Sequence, residues 1–233
     1  MRIMGEETPA RVGAISGIAF AVITLVAGAL TGTPPGPDDS DRVWRDFFVD
    51  THDRLLVQAW LMALAAALLV WFAAALRNVL QARGSNHTAD VVLAGATVTS
   101  TLVIVAMAMQ VALVHRAEDL SPALVRTIGL DFGAAVVVLL GISVGLIASA
   151  FIVAVRQVGG FPRWTIWLAA LAIVLNVGAS LGGVFLEDGA LSMEGHVTVF
   201  LPTVSTLAWY VGVSISLLRG DRSHLRRPNQ TAT

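Results

Sequence analysis

The chain has 233 residues, 56% of them hydrophobic and only 13% charged, with a formal net charge of −1. A soluble domain carries about 25% charged residues, so a water-soluble globular class is excluded, and a near-zero net charge offers nothing to a nucleic-acid partner. With no cysteine, this chain holds no disulfide, thiolate nucleophile, cysteine-bound zinc or iron–sulfur cluster, and every one of its fifteen basic residues is arginine.

Six apolar stretches follow one another, at about 11–31, 55–76, 91–114, 127–155, 164–186 and 197–218. Each is near the ~20 residues that cross a hydrocarbon core of ~30 Å. Inside lipid the backbone must satisfy its own hydrogen bonds, so all six are expected to be helices, and the fold class is an all-α polytopic membrane protein forming one domain. The small residues at 27–29 imitate a signal-peptide cleavage site, but the apolar run is long and Glu6 and Glu7 spoil a basic leader, so the first stretch is expected to stay as a span.

After the first span, "TGTPPGPDDS" is a Pro/Gly turn segment, followed by "DRVWRDFFVDTHDR" at 41–54. On a helical wheel Val43, Trp44, Phe47, Phe48 and Thr51 share one arc, and Asp41, Arg42, Arg45, Asp46, Asp50 and Asp53 share the other. The spacing predicts a short amphipathic helix in the first outer loop, capped by Ser40 and supported by acid-first pairs Asp41/Arg45 and Asp50/Arg54. Its aromatic face is expected to meet the lipid interface or the mouth of the bundle. Thr51 or Asp50 would cap the second span.

Polar residues inside apolar spans are costly to insert and so point to function. Counting ~1.5 Å per residue puts Gln58 of the second span, Gln110 of the third and Asp131 of the fourth near one outer level, with Asn176 nearer the middle of the fifth. These four are candidates for a ligand site or proton path. Asp131 has a plainer alternative, as the partner of Arg126 or of a neighbouring glutamine. Ser121 and Pro122 are expected to open the helix that carries it. His52, His115 and His196 fall at outer span ends near Asp53, Glu118, Glu187 and Glu194, a donor set that suits a divalent metal, although no pair has the H-x-x-x-H spacing. The pairs Gly13/Gly17, Gly129/Gly133, Gly141/Gly145 and Gly178/Gly182 predict close helix packing, as do Ala59, Ala63 and Ala67. Trp164 and Trp167 read as an interfacial anchor. Phosphate-binding, nucleophile-elbow and zinc-protease motifs are absent from the sequence.

Arginine bias sets the expected orientation. With both termini cytoplasmic, Arg2, Arg11, Arg77, Arg83, Arg156, Arg163, Arg219, Arg222, Arg226 and Arg227 lie inside, against Arg42, Arg45, Arg54, Arg116 and Arg126 outside.

"VDTHDRLLVQAWLMALAAALLVWFAAALRNVLQ" and "GFPRWTIWLAALAIVLNV" resemble the second-helix region and the fifth-helix entry of a family of six-helix membrane proteins common in actinobacteria. The resemblance follows the order of elements along most of the chain. It implies an actinobacterial plasma membrane and carries over no functional residue, since that family has no assigned function.

The sequence therefore points to a multi-pass plasma-membrane protein whose certain partner is the bilayer. The leading expectation is a non-enzymatic membrane module, either an accessory subunit or a small-molecule binder, working alone, as a homo-oligomer or beside another membrane protein. A small transporter or channel using the outer polar level stands second. A membrane-embedded enzyme with an outer His/Asp/Glu site stands third. No cofactor is indicated.

Overall fold

A computed structural model describes residues 7–186 and 196–225, with side chains placed over 10–186 and 198–219. Glu187 and Glu194 lie outside the described residues, as do the side chains of His196 and of the C-terminal arginines from Arg222 onward. Among the described residues every element is helical. The elements are α1 (Glu7–Leu30), α2 (Asp41–Asp50), α3 (His52–Ala82), α4 (Asn86–Arg116), α5 (Pro122–Arg126), a π-helical segment (Thr127–Phe132), α6 (Gly133–Val158), α7 (Arg163–Phe185) and α8 (His196–Leu225).

Six stretches are long and apolar enough to cross a bilayer: Ala10–Leu30, His52–Ala82, Asn86–Arg116, Pro122–Val158, Arg163–Phe185 and Thr198–Arg219. They match the expected spans, so the chain is an all-α, multi-pass integral membrane protein. The fourth span is α5, the π segment and α6 run together. Ser121 caps it by accepting the Leu124 N–H at 3.4 Å, with Pro122 in the first turn, as the sequence predicted.

The spans pack as a ring, each against its two neighbours, in the order α1, α3, α4, α6, α7, α8 and back to α1. Four of these six interfaces are tied by a hydrogen bond from the apolar middle of a span. Ser100 Oγ donates to the Ala66 carbonyl at 2.9 Å (α4 to α3), and Thr99 Oγ1 meets Ser143 Oγ at 2.8 Å (α4 to α6). Ser180 Oγ donates to the Val138 carbonyl (α7 to α6), and Asn176 Nδ2 donates to Thr206 Oγ1 at 2.9 Å (α7 to α8). Helix α1 joins the ring differently. Its hydroxyls turn back on their own helix, Ser16 to the Val12 carbonyl and Thr24 to the Phe20 carbonyl. Contact comes instead through Gly13 against Ala75 and Gly17 against Phe72 and Ser214, where a Cβ on Gly17 would sit 2.6 Å from the Phe72 ring.

The ring is filled unevenly. Toward the end that carries the start of α1 and the close of α8, an apolar core of Leu69, Phe72, Leu76, Ile147, Phe151, Trp209, Tyr210 and Val213 plugs it. Trp209 stacks on Tyr210 at 4.8 Å, and Tyr210 meets Phe72 and Phe20 edge-on at 5.5 and 5.4 Å. At this terminal end Arg77 binds Asp90 at 2.6 Å, and Arg83 lies over Phe161 at 5.2 Å, where burial lowers its pKa from the usual guanidinium value.

At the opposite end, here the cap end, α2 lies across the mouth. Trp44 and Phe48 are buried with Leu55, Leu113, Val114, Ala117 and Val125 in a second, smaller core. The amphipathic helix forms as expected, with its aromatic face on the bundle mouth. Its ion pairing differs from expectation. Arg45 does not pair with Asp41: it donates to the carbonyls of Ala117 at 3.0 Å and Glu118 at 2.8 Å. Asp41 pairs with Arg126 at 3.5 Å. Ser40 and Thr51 stand at the caps, but neither side chain makes a capping bond, and the Thr51 hydroxyl donates back to the Phe47 carbonyl at 2.5 Å. Local i,i+4 pairs on an exposed helix are worth only ~0.2–0.5 kcal/mol, so fixed carbonyl acceptors on the neighbouring loop outcompete them.

The small-residue pairs divide. Gly141 and Gly145 face α7 closely, and Gly129 receives the Phe48 ring, whereas nothing lies within 4 Å of the Cβ positions of Gly133 and Gly178. Gly178 is exposed on the outside of the ring, so the Gly178/Gly182 pair is not a packing face at its first member. Ala59 is buried, but Ala67 is exposed and Ala63 lies between, so that stripe turns out of the interface along α3.

Candidate functional site

Between the plug and the α2 lid the ring forms a pocket of about 360 Å³ that is partly open to the outside, with Phe132, Val137 and Val199 exposed along its rim. Helix α3 supplies Leu55 and Gln58. Helix α4 supplies Ala106, Met107, Met109, Gln110 and Leu113. The π segment and the start of α6 supply Ile128, Gly129, Leu130, Phe132, Gly133, Ala134 and Val137. Trp44, Phe47 and Phe48 of α2 form the roof, and Thr31, Pro34 and Val199 close the edge.

The π turn matters here. Its wider i→i+5 turns occur frequently at functional sites, and five of its residues and neighbours, from Ile128 to Gly133, line the wall. Gly133 leaves open space where a side chain would project. Gly129 is where the roof rests: a Cβ there would fall 2.5 Å from the Phe48 ring. The roof is further held by three polar latches. Trp44 Nε1 donates to the Gly36 carbonyl at 3.1 Å, Arg45 donates to the two loop carbonyls already described, and Arg126 Nη2 donates to the Pro37 carbonyl at 2.7 Å. The Nε of Arg126 is buried with no hydrogen-bond partner among the described residues.

Two of the polar residues picked out in the sequence meet in this cavity. Gln110 Nε2 donates to Gln58 Oε1 and to the Leu55 carbonyl, both at 3.0 Å. A backbone carbonyl can only accept, so the Gln110 nitrogen must face it, and the orientation of both amides follows.

The other two candidates lie elsewhere. Asp131 shares the depth of the glutamines but does not line the cavity, although its neighbours on both sides do. Two residues from Gly129 and two from Gly133, roughly half a turn from each, it points away from both. It is half-buried, and among the described residues nothing forms an ion pair or hydrogen bond with it. Arg126, its expected partner, is committed to Asp41 and Pro37. Asn176 is 6% exposed and occupied by Thr206 and the Ala172 carbonyl, so it ties α7 to α8 and does not reach the cavity.

His52 and His115 do come together, with ring centroids 5.4 Å apart, and His52 Nδ1 lies 3.0 Å from Asp53. Among the described residues no three His, Asp or Glu side chains are grouped to hold a metal ion. The third histidine of the expected set, His196, opens α8 with its side chain outside the described residues. Neither histidine lines the cavity.

Sequence reasoning named the roof aromatics and the two glutamines but not the methionine and π-segment walls. Methionines 107 and 109 sit in an apolar run where nothing separates a wall residue from a lipid-facing one.

Fold and site define a polytopic membrane protein with a ring of six spans, plugged at one end and hollow under a helical lid at the other. No protein-family model, curated protein or solved structure matches the chain.

Proposed function

We propose that this protein is a membrane-embedded binding module that holds an apolar small molecule in the cap-end cavity. The observation that carries the reading is the cavity itself: about 360 Å³ lined by aromatic, methionine and aliphatic side chains, with the glutamine pair and, at the edge, Thr31 as its polar members and a packed plug beneath it. Ligand pockets of ~300–1,000 Å³ with mainly hydrophobic linings and a few placed polar groups are the usual form of small-molecule sites. Methionine supplies a polarizable wall that adapts to shape. With the arginine-rich end in the cytoplasm, the lid faces the outside of the plasma membrane, in the actinobacterial setting that the resemblance implies.

A photoreactive alkane carrying a diazirine, incorporated into proteoliposomes, tests the reading. Saturable labelling is expected on 106–113 and 128–137, and Gly133→Phe, which grows a side chain into the open space, should remove it. Labelling spread evenly over the lipid-facing surface and unchanged by Gly133→Phe would refute it.

A second reading, a carrier that opens its floor, draws on one observation. Trp209 Nε1, Tyr210 Oη and Ser214 Oγ are buried in and beside the plug without a hydrogen-bond partner among the described residues. Unsatisfied polar groups cost ~1–3 kcal/mol each, a penalty that a wetted, open floor would relieve. Water-soluble probes reaching Ser214→Cys from the terminal side would favour this reading over a closed cup.

A further inference from the structure

Resting on the binding reading above, we infer that the ligand is an uncharged molecule, mainly apolar, that carries one hydroxyl or carboxamide group. The amide pair carries this inference. Both N–H groups of Gln110 are used, one on the Leu55 carbonyl and one on Gln58 Oε1. That leaves Gln110 Oε1 as an acceptor and Gln58 Nε2 as a donor, neither of them engaged by another described residue. The two amides are tied to each other, so the free acceptor and the free donor belong to two bonded residues of the lining. A group that both donates and accepts answers this pair: a hydroxyl or a carboxamide does, while an ether, a ketone or a quaternary ammonium fills only half of it or none.

The rest of the described lining disfavours charge. Among the described residues no Asp, Glu, Arg or His contributes to the cavity wall. A carboxylate or ammonium entering it would shed its water and meet no counter-charge, which costs far more than a neutral polar group that keeps its hydrogen bonds. Size is bounded as well. At ~30 Å³ per water-sized group, about 360 Å³ admits on the order of a dozen heavy atoms. A medium-chain alcohol or amide fits that volume; a two-chain phospholipid does not.

Matched photoreactive probes of one chain length separate the possibilities: alkane, alcohol, primary amide, carboxylate and trimethylammonium, each applied to wild type and to Gly133→Phe in proteoliposomes. The alcohol and amide should label the cavity peptides at concentrations on the order of tenfold below the alkane, as expected for one well-made hydrogen bond to a buried pair. The two charged probes should be weaker than the alkane. In Gln110→Leu the alcohol-to-alkane ratio should fall to about one. Gln58→Leu, which keeps the Gln110 bond to the Leu55 carbonyl, should give the same fall and covers the case in which Gln110→Leu fails to assemble. Equal saturation by alcohol and charged probes would overturn the inference and leave the binding site standing. If the alkane too labels wild type no more than Gly133→Phe, the binding reading fails and takes this inference with it.

Discussion

Two substitutions of the same kind, Gly141→Ala and Gly178→Ala, should move stability in opposite directions. Both glycines lie in helices that span the membrane, and in a helix interior alanine is better than glycine by ~1 kcal/mol. A Cβ on Gly178 meets nothing within 4 Å, so that gain is realised. A Cβ on Gly141 would lie 2.5 Å from the Asn176 carbonyl oxygen and 3.1 Å from its carbonyl carbon. Carbon-to-oxygen contacts settle at ~3.3–3.6 Å, so α6 and α7 must part by roughly 1 Å, and backbone has no rotamer with which to yield. Overpacking of this kind costs ~1–3 kcal/mol. The Ser180 hydroxyl bond to the Val138 carbonyl crosses the same contact and contributes about 0.6 kcal/mol more if it breaks. After the helix gain, Gly141→Ala should lose roughly 1–3 kcal/mol, and the two variants should differ by roughly 2–4 kcal/mol. Reversible unfolding in mixed micelles, followed by circular dichroism against the mole fraction of denaturing detergent, measures this. If Gly141→Ala proves as stable as Gly178→Ala, the close approach of α6 and α7 is wrong.

Three further outcomes are expected. Because the chain has no cysteine of its own, Ser40→Cys should react with an impermeant thiol reagent on intact cells and Gly84→Cys only after lysis; the reverse pattern would invert the orientation. Arg126→Met breaks the latches to Asp41 and Pro37, so a spin label on the exposed Val43 should gain mobility while the six spans unfold at nearly their wild-type midpoint; an unchanged label would show that the aromatic roof with the Trp44 and Arg45 latches holds α2 without Arg126. Asp131→Asn should leave alkane labelling of the cavity unchanged and alter stability by less than about 0.5 kcal/mol, as for a substitution away from any paired group; a clear loss of labelling would return Asp131 to the site.

The spans were legible because crossing a bilayer demands an uninterrupted apolar run, and a run is visible in the sequence. The lid was legible because a helix with a wet face and a dry face repeats at 3.6 residues. Depth can be counted, which is why the sequence puts Gln58, Gln110 and Asp131 near one level, and the two glutamines are hydrogen-bonded. Azimuth cannot. Asp131 sits in a π turn, where each residue advances by a smaller angle than in an α-helix, and it points off the wall that its neighbours form. Asn176 was read as functional because a buried amide is costly, but that cost is met by Thr206 across the interface, a contact set by packing. Arg45 and Arg126 went to loop carbonyls rather than to the acids near them in sequence, because a folded loop offers fixed acceptors that spacing along one helix cannot reveal. Gly178 and Gly141 read alike as letters, and only the neighbouring helix distinguishes them.

Among the described residues no side chain of helix α1 makes an inter-helical hydrogen bond, its two mid-span hydroxyls being returned to its own backbone. That has a consequence for biosynthesis. Of the described helices, α1 leaves the ribosome first, yet its neighbour α8 is made last, so for most of translation it has one flank without a partner. A span whose polar groups are self-satisfied can wait in lipid at little cost, whereas α7, whose Asn176 gives one N–H to its own Ala172 carbonyl and the other to Thr206, is completed only when α8 arrives. A nascent chain stopped before α8 should therefore carry α1 as a stable helix docked on α3 with its α8 flank in lipid, crosslinking to acyl chains at Phe20, the side chain that later meets Tyr210.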